Sequence, residues 1–276
     1  MRLRVWQSRD CHGAALPGGD GYNSSMNAPD EIESEFGVPI PGRVVDPAQW
    51  SKTAIKKLPE PGPVDWEAIF GRPAPLVIDL GCGNGRHVLG SAWERRDLNH
   101  VGVDLLPVVL RYATRRGNQR GLTNLRFACC DGKNFVRKYL ADRSVREMHI
   151  YHPQPFHDRR EAWKRLLQPE FLADVARTLE PQGRLFLQTD NAPYWEYLRN
   201  TVPSFFDFEE RNEPWPDSPR TRREILASSR GLPLFRGMGV VREMAAEDAR
   251  ALASKLPRPT FDAGKPQRDL DALERE

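Results

Sequence analysis

Residues 76–88, LVIDLGCGNGRHV, combine a short apolar run, a glycine-rich turn and the start of a helical pattern. The apolar run, Leu76–Leu80, has the composition of a strand buried on both faces of a parallel sheet. The turn has glycine at Gly81, Gly83 and Gly85, and the missing side chains let a ligand approach the backbone closely. In open α/β sheets such a turn lies at the carboxyl edge of the strands, where ligands bind. The stretch therefore predicts an α/β fold with a ligand site at this turn.

Short apolar runs and amphipathic helical segments alternate along the chain from this stretch onward. The alternation is typical of a doubly wound, mostly parallel sheet with crossover helices. One helix is predicted from about 162 to 179, because its Leu, Phe and Val side chains share a stripe at helical spacing. The predicted strands are Leu76–Leu80, His100–Asp104, Leu125–Ala128, Met148–Tyr151, Arg184–Thr189 and Met238–Glu243.

The chain divides into three regions by composition. Residues 1–63 are rich in glycine and proline and show no sustained apolar periodicity, which predicts an extended or disordered segment. Residues 64–256 are predicted to form the folded domain, and the polar residues 257–276 are predicted to form a frayed tail. A second methionine, Met26, lies in the first region, and we hypothesise that it is the natural start.

The composition is that of a soluble protein. Charged residues make up 29% of the chain, and no apolar run approaches the roughly 20 residues that span a bilayer. No apolar segment follows the basic first residues, so neither a secretory signal nor a membrane anchor is predicted. The four cysteines have no regular spacing, which favours a reducing compartment. We therefore expect a cytoplasmic protein without a membrane partner.

Acidic residues follow three successive strands at the predicted ligand edge. The glycine spacing is G-x-G-x-G rather than the G-x-G-x-x-G of dinucleotide binders, and a carboxylate just before the turn disfavours a pyrophosphate. Three acids suit a positively charged ligand, and S-adenosylmethionine carries a sulfonium and an ammonium group. The alternative is a tight turn with aspartates that only cap helices. The sequence thus favours S-adenosylmethionine as cofactor, with Asp79, Asp104 and Asp131 beside the three glycines.

Two net basic segments accompany a proline-containing loop after the fourth predicted strand. Pro153 and Pro155 hold this loop extended at the same sheet edge, where an acceptor would meet the methyl group. A single such segment is usually a solvated face, but two of them favour contacts to nucleic acid phosphates. The first holds Arg159, Arg160, Lys164 and Arg165; the second holds Arg220, Arg222, Arg223, Arg230 and Arg236 around Glu224.

Residues 65–243 resemble the bacterial tRNA (guanine-N7-)-methyltransferases of the TrmB type. The resemblance begins with DWEAIFG, continues through IDLGCGNGRHV, GVDLL and GLTNLRFACCD, and closes with TDNAPYW and TRREILASSRG. The last two segments are the most specific, since TDNAPYW resembles the family's T-D-x-x-x-Y segment. In addition, Thr221, Glu224 and Gly231 reproduce its T-x-x-E-x6-G spacing.

The resemblance implies a Rossmann-like class I methyltransferase with a seven-stranded sheet, acting on N7 of a tRNA guanosine. Residues 64–256 would then be the methyltransferase domain, and the three acids and three glycines of the turn region would bind S-adenosylmethionine. The resemblance also implies tRNA contacts from Asp190, Thr221, Arg222, Arg223 and Glu224.

The acceptor loop departs from the family pattern at two positions. The family has P-D-P-W with a lysine two residues later, whereas this chain has Pro153-Gln154-Pro155-Phe156. Gln154 therefore stands at the position of the family's catalytic aspartate, and Asp158 at that of its substrate-binding lysine. Guanine N7 has a free lone pair and no proton to lose, so the reaction requires alignment rather than a general base. Glu224 or Asp190 would accept the N1 and N2 hydrogens of the guanine.

Other functions remain open from the sequence. One is a methyltransferase of the same fold with a changed substrate, and another is a catalytically impaired relative that still binds tRNA or the cofactor. A dehydrogenase is disfavoured by the glycine spacing. No His and Cys spacing matches a zinc pattern, so no metal site is expected. The sequence does not distinguish a monomer from a homodimer or indicate which tRNA position is modified.

Overall fold

The computed structural model describes residues 33–60, 62–266 and 268–275. The hypothesis about Met26 lies outside the described residues. Among those residues, no helix combines the length and the apolar character that crossing a bilayer requires. The strands are β1 (Ser34–Glu35), β2 (Val38–Pro39), β3 (Ala54–Ile55), β4 (Leu76–Leu80), β5 (Asn99–Asp104), β6 (Leu125–Cys129), β7 (Val145–Tyr151), β8 (Leu179–Thr189), β9 (Phe206–Arg211) and β10 (Phe235–Val241). The helices are α1 (Trp66–Phe70), α2 (Arg86–Glu94), α3 (Pro107–Gln119), α4 (Gly132–Tyr139), α5 (Pro169–Thr178), α6 (Ala192–Thr201), α7 (Arg222–Ser229), α8 (Ala246–Lys255) and α9 (Arg268–Arg275).

The main sheet has the strand order β3-β6-β5-β4-β7-β8-β10-β9. Strand β10 is antiparallel to both β8 and β9, and the other pairs are parallel. The chain proceeds from β4 outward through β5 and β6, then returns to the other side of β4 with β7. This arrangement confirms the doubly wound α/β fold. The expected seven strands are joined at the β6 edge by the two-residue strand β3, and the order reverses between β4 and β7, where open sheets form a ligand crevice.

The core fixes the position of the turn that follows β4. All five residues of β4 are buried, as expected for a central parallel strand. Val88 and Leu89 of α2 are fully buried as well, each contributing about 1.5–3 kcal/mol relative to an exposed side chain. The glycine turn thus joins two elements that cannot shift without exposing apolar surface.

The helix expected at 162–179 is shorter in the structure. A 3₁₀ helix covers Arg159–Lys164, α5 begins only at Pro169, and Leu179 already belongs to β8. Proline has no N–H to donate and clashes with the preceding helical turn, so it begins this helix rather than continuing an earlier one. Leu167 is fully buried without being part of the helix, which explains why the apolar stripe is longer than α5.

Both segments that flank residues 64–256 pack on the domain where they are described. Before it, Ala54 and Ile55 pair with β6, and Glu33 forms ion pairs with arginines of α3 and the residue after it. After it, Leu270 of α9 is only 4% exposed. The structure therefore differs from the predicted extended segment and frayed tail over residues 33–60, 257–266 and 268–275. These contacts join residues far apart in sequence, so local periodicity does not predict them.

Candidate cofactor and acceptor site

The glycine turn between β4 and α2 offers open space at two of its three glycines. Gly81, Gly83 and Gly85 have φ of +79°, +53° and +82°, in the left-handed region that favours glycine. A Cβ at Gly81 or Gly83 would meet no atom within 4 Å. A Cβ at Gly85 would lie 2.9 Å from the side chain of Ala113 in α3. The first two glycines thus leave room for a ligand, whereas the third allows close helix packing.

Two of the predicted cofactor acids also hold the backbone at this edge. Asp104, at the end of β5, accepts hydrogen bonds from the amides of Gly83 and Leu106, each at 2.9 Å. Each carboxylate oxygen keeps a second lone pair, which can accept a ribose hydroxyl. Asp131 accepts from the amide of Asn134 at 2.9 Å and caps α4, as the capping interpretation expects. The structure brings both acids to the edge of the sheet that carries the glycine turn.

Asp79 is the buried acid of this site, with 3% of its surface exposed. Burial, together with the negative charge of Asp104, raises the pKa of Asp79 to about 7, although the positive charge of Arg220 opposes the rise. A carboxylate held this way gains from a cationic ligand, which restores its charged form. The environment of Asp79 therefore fits the sulfonium and ammonium groups of S-adenosylmethionine.

A chain of polar side chains runs along β7 to the same edge, and sequence analysis did not identify it. Arg95 donates to both oxygens of Glu147 at 2.9 and 2.7 Å, and Glu147 lies 3.2 Å from Nε2 of His149. Burial lowers the pKa of His149 to about 4, so its neutral ring accepts the Tyr151 hydroxyl at Nδ1, at 2.7 Å. The Tyr151 oxygen in turn accepts from Arg220. The sequence signal that could have revealed this chain is the polar residue at every second position of β7: Glu147, His149 and Tyr151.

The acceptor loop holds Gln154 in an exposed position beside a small cavity. His152, two residues before Gln154, and Phe156, two residues after it, have φ of +49° and +46°, which is uncommon for residues other than glycine and recurs at functional sites. The cavity volume is about 60 Å³, room for only a few waters, whereas ligand sites usually measure about 300–1,000 Å³. An acceptor base would therefore have to widen this cavity.

Asp190 lines the same cavity as Gln154. His152 Nδ1 lies 3.0 Å from one carboxylate oxygen, and Nε of Arg223 donates to the other at 2.9 Å. Burial acts to raise the pKa of Asp190, but the hydrogen bond from His152 and the charge of Arg223 outweigh it and hold the pKa below its usual value. The structure thus brings together Gln154, Asp190 and Arg223, with an ionised carboxylate among them.

Glu224 lies in a different environment from the one expected of a substrate contact. Thr221 caps α7 by accepting from the amide of Glu224 at 3.0 Å. The Glu224 carboxylate is 2% exposed and accepts from the Ser218 hydroxyl at 2.8 Å, Arg236 at 3.1 Å and the Arg220 amide at 2.7 Å. Burial acts to raise its pKa, and these hydrogen bonds lower it. Glu224 therefore fixes the loop before α7 and does not line the cavity beside Gln154.

The basic segments are only partly at the surface. Arg165 is fully buried and donates to backbone oxygens of the acceptor loop and of residues 259 and 261, and Arg236 is 6% exposed. Arg222 and Arg223 are half-buried, and α9 contacts both of them, through the carbonyl of Leu273 at 2.7 Å and the carboxylate of Asp271 at 2.8 Å. Sequence alone does not separate such internal arginines from those that reach solvent.

Asp158 lies apart from this cavity. It is exposed, accepts from the Arg160 amide at the start of the 3₁₀ helix and forms an ion pair with the Arg160 side chain at 2.7 Å. These Arg160 hydrogen bonds lower the pKa of Asp158. Across the described residues, no group of three or more His, Cys, Asp or Glu side chains is placed to hold a metal ion.

Comparisons with known proteins agree with this geometry. A family model described as "Putative methyltransferase" matches residues 73–236, from just before β4 into β10. The tRNA (guanine-N(7)-)-methyltransferase of Halorhodospira halophila is 33% identical over 177 residues, covering 63% of this chain and 77% of that protein. The protein of the same name from Paracidovorax citrulli is 33% identical over 182 residues, covering 64% and 72%. That of Alkalilimnicola ehrlichii is 28% identical over 184 residues, covering 66% and 78%.

Proposed function

The chain belongs to the bacterial tRNA (guanine-N7-)-methyltransferase family, and on that premise we propose that it methylates N7 of a guanosine in tRNA. The methyl donor is S-adenosylmethionine, and the proposed compartment is the cytoplasm. One observation carries the proposal. The glycine turn with Asp79 and Asp104 and the cavity with Gln154 and Asp190 lie at the same carboxyl edge of one sheet.

The residues at the turn fit the donor in shape and charge. S-adenosylmethionine supplies an electrophilic methyl group on a sulfonium. Asp104 accepts ribose hydroxyls, Asp79 faces the positive groups, and Asp131 completes the acidic edge. Gly81 and Gly83 let the ligand lie against the backbone.

The acceptor residues act by alignment and electrostatics. Guanine N7 attacks with its own lone pair, so the rate depends on holding the base in line with the methyl group. Asp190, kept ionised by His152 and Arg223, accepts a hydrogen from the N1 and N2 edge of the base on its remaining lone pair. Gln154 positions the base through its amide but adds no charge, and Asp190 stabilises the cationic purine that forms. Arg222, Arg223 and Thr221 at the start of α7 contact the tRNA, and Glu224 holds that element in place.

Gln154 is the observation that favours two alternatives. A neutral amide in place of the family's aspartate is the change expected for a methyltransferase with another substrate, or for a relative that binds tRNA or cofactor without turnover. The first alternative retains cofactor binding, the second retains binding of tRNA or cofactor, and both lose methylation of tRNA guanosine. Methyl transfer to tRNA therefore distinguishes them from the proposed function.

The test uses tRNA whose reacting atom can be removed. Protein is incubated with methyl-labelled S-adenosylmethionine and unmodified tRNA transcripts, and N7-methylguanosine is located by chemical cleavage. Matched transcripts made with 7-deazaguanosine lack the N7 lone pair and should accept no label. Label that persists in the 7-deaza transcripts would assign a different acceptor atom. No label in either, with cofactor binding intact, would favour a changed substrate or an impaired enzyme.

A further inference from the structure

A loop arginine, Arg220, lies between the proposed cofactor acids and the end of β7. Its side chain donates to the Tyr151 oxygen at the carboxyl end of that strand, and its charge acts on Asp79 at the end of β4. The preceding residue, Pro219, accepts from Nε of Arg86 at 3.1 Å, at the start of α2. Arg220 thus lies near the carboxyl ends of β4 and β7, where the strand order reverses.

The chain holds this guanidinium in a fixed orientation. Nε and Nη2 each lie 2.6 Å from one oxygen of Asp217, and the guanidinium lies 4.6 Å from the ring centre of Trp215. The Arg220 amide donates to the buried Glu224 carboxylate. Only 10% of the side chain is exposed. A binding group held this way loses little conformational entropy when a ligand arrives.

Two N–H groups of Arg220 have no hydrogen-bond partner among the residues that the structure describes. A guanidinium carries five N–H donors. Asp217 takes one from Nε and one from Nη2, and Tyr151 takes one from Nη1. One N–H is left on each terminal nitrogen, and each can donate to a carboxylate oxygen.

The charges of the proposed cofactor are not all matched by the acids of the site. S-adenosylmethionine carries a carboxylate next to its ammonium group, and the carboxylates of Asp79 and Asp104 repel it. We propose that Arg220 binds this α-carboxylate and so positions the methionyl part of the cofactor. The proposal rests on the proposed function and adds a cofactor contact outside the glycine turn. The loop before α7 would then help to bind the methyl donor. Arg220 in this loop lies three residues before Arg223, which lines the acceptor cavity.

The test compares two adenosine ligands that differ in the amino-acid part. S-adenosylhomocysteine keeps the carboxylate, whereas 5′-methylthioadenosine lacks it. Their Kd values are measured by calorimetry for the wild type, Arg220→Met, Arg220→Lys and a control, Arg242→Met, and again with Asp79→Asn present in all four, so that Arg220 cannot act through the charge of Asp79. Arg242 is an exposed arginine that forms an ion pair with Asp207 and lies outside the site. Arg220→Met should weaken S-adenosylhomocysteine by roughly 10- to 100-fold and leave 5′-methylthioadenosine within about twofold.

The outcomes separate this proposal from the proposed function. Arg220→Lys should recover part of the affinity, because a lysine supplies charge without a bidentate pair. Equal weakening of both ligands, or no weakening of either, would overturn the carboxylate assignment. Failure of the wild type to bind either ligand would instead overturn the proposed function, and the Arg220 contact would be overturned as well. Unchanged binding of 5′-methylthioadenosine also shows that Arg220→Met is folded.

Discussion

The buried carboxylate of Asp79 predicts a pH dependence of cofactor binding. Its pKa of about 7 places its ionisation within the range where the protein can be studied folded. The proposed ligand is cationic at this end and therefore binds the ionised form. Lowering the pH from 8 to 6 protonates Asp79 and should weaken binding. Replacing it by asparagine removes the titration with little change in shape.

The size of the effect follows from the pKa. With a value of about 7, the ionised fraction is about 0.9 at pH 8 and about 0.1 at pH 6. The apparent Kd is the intrinsic Kd divided by the competent fraction, so it should rise about tenfold between these pH values. Calorimetric titration with S-adenosylhomocysteine at pH 6, 7 and 8 measures this change. Titration of the ligand itself is common to the wild type and Asp79→Asn and cancels in their comparison.

The same raised pKa makes the stability of the fold depend on pH in the opposite direction from cofactor binding: lower pH weakens binding but stabilises the fold. The folded protein binds this proton more tightly than the unfolded chain, so the stability it contributes is complete below the unfolded pKa and is lost as pH rises to about 7. The rise of the pKa from 3.8 to about 7 corresponds to about 4 kcal/mol at most. Asp79→Asn should therefore have a higher Tm than the wild type at pH 8, with a smaller difference at pH 5. Identical pH profiles of Kd in the two proteins, or a lower Tm of the variant at pH 8, would refute the reasoning.

Four further outcomes are expected. Asp271→Asn breaks the ion pair with Arg223 and should raise tRNA affinity a few-fold at low salt in a filter-binding assay; weaker binding would contradict a covering role of α9. Gln154→Asp should increase the turnover of methyl transfer, and a variant no faster than the parent would show that this position does not limit the rate. Arg222→Gln should reduce the slope of log affinity against log salt by about 1, whereas a parallel line would exclude a phosphate contact. Leu89→Ala should cost about 2–5 kcal/mol of unfolding free energy in urea, and a loss below about 1 kcal/mol would mean that the α2 core collapses around the gap.

Local patterns in the sequence determined the framework of the site. Strand β4 has the predicted bounds, and the glycine turn follows it, because an apolar run and positive-φ glycines act over a few residues. Thr221 caps α7 within the T-x-x-E segment, and this contact is also local, since a capping hydrogen bond spans only three residues. The prediction of a helix at 162–179 was wrong over its first turns, because tertiary contacts rather than local pattern decide this part of the chain. Leu167 is buried by the tertiary fold and not by a helix of its own.

Tertiary structure alone decided how the acids and arginines behave. The sequence pointed to Asp79, Asp190 and Glu224, yet one has a raised pKa, one a lowered pKa, and one is enclosed by its own chain. The arginines also differ from one another. Some have only internal partners, Arg222 and Arg223 contact α9, and Arg220 donates to Tyr151 at the end of β7. Burial and the distance to other charges set these properties, and both arise only when strands and loops far apart in sequence meet at one edge of the sheet.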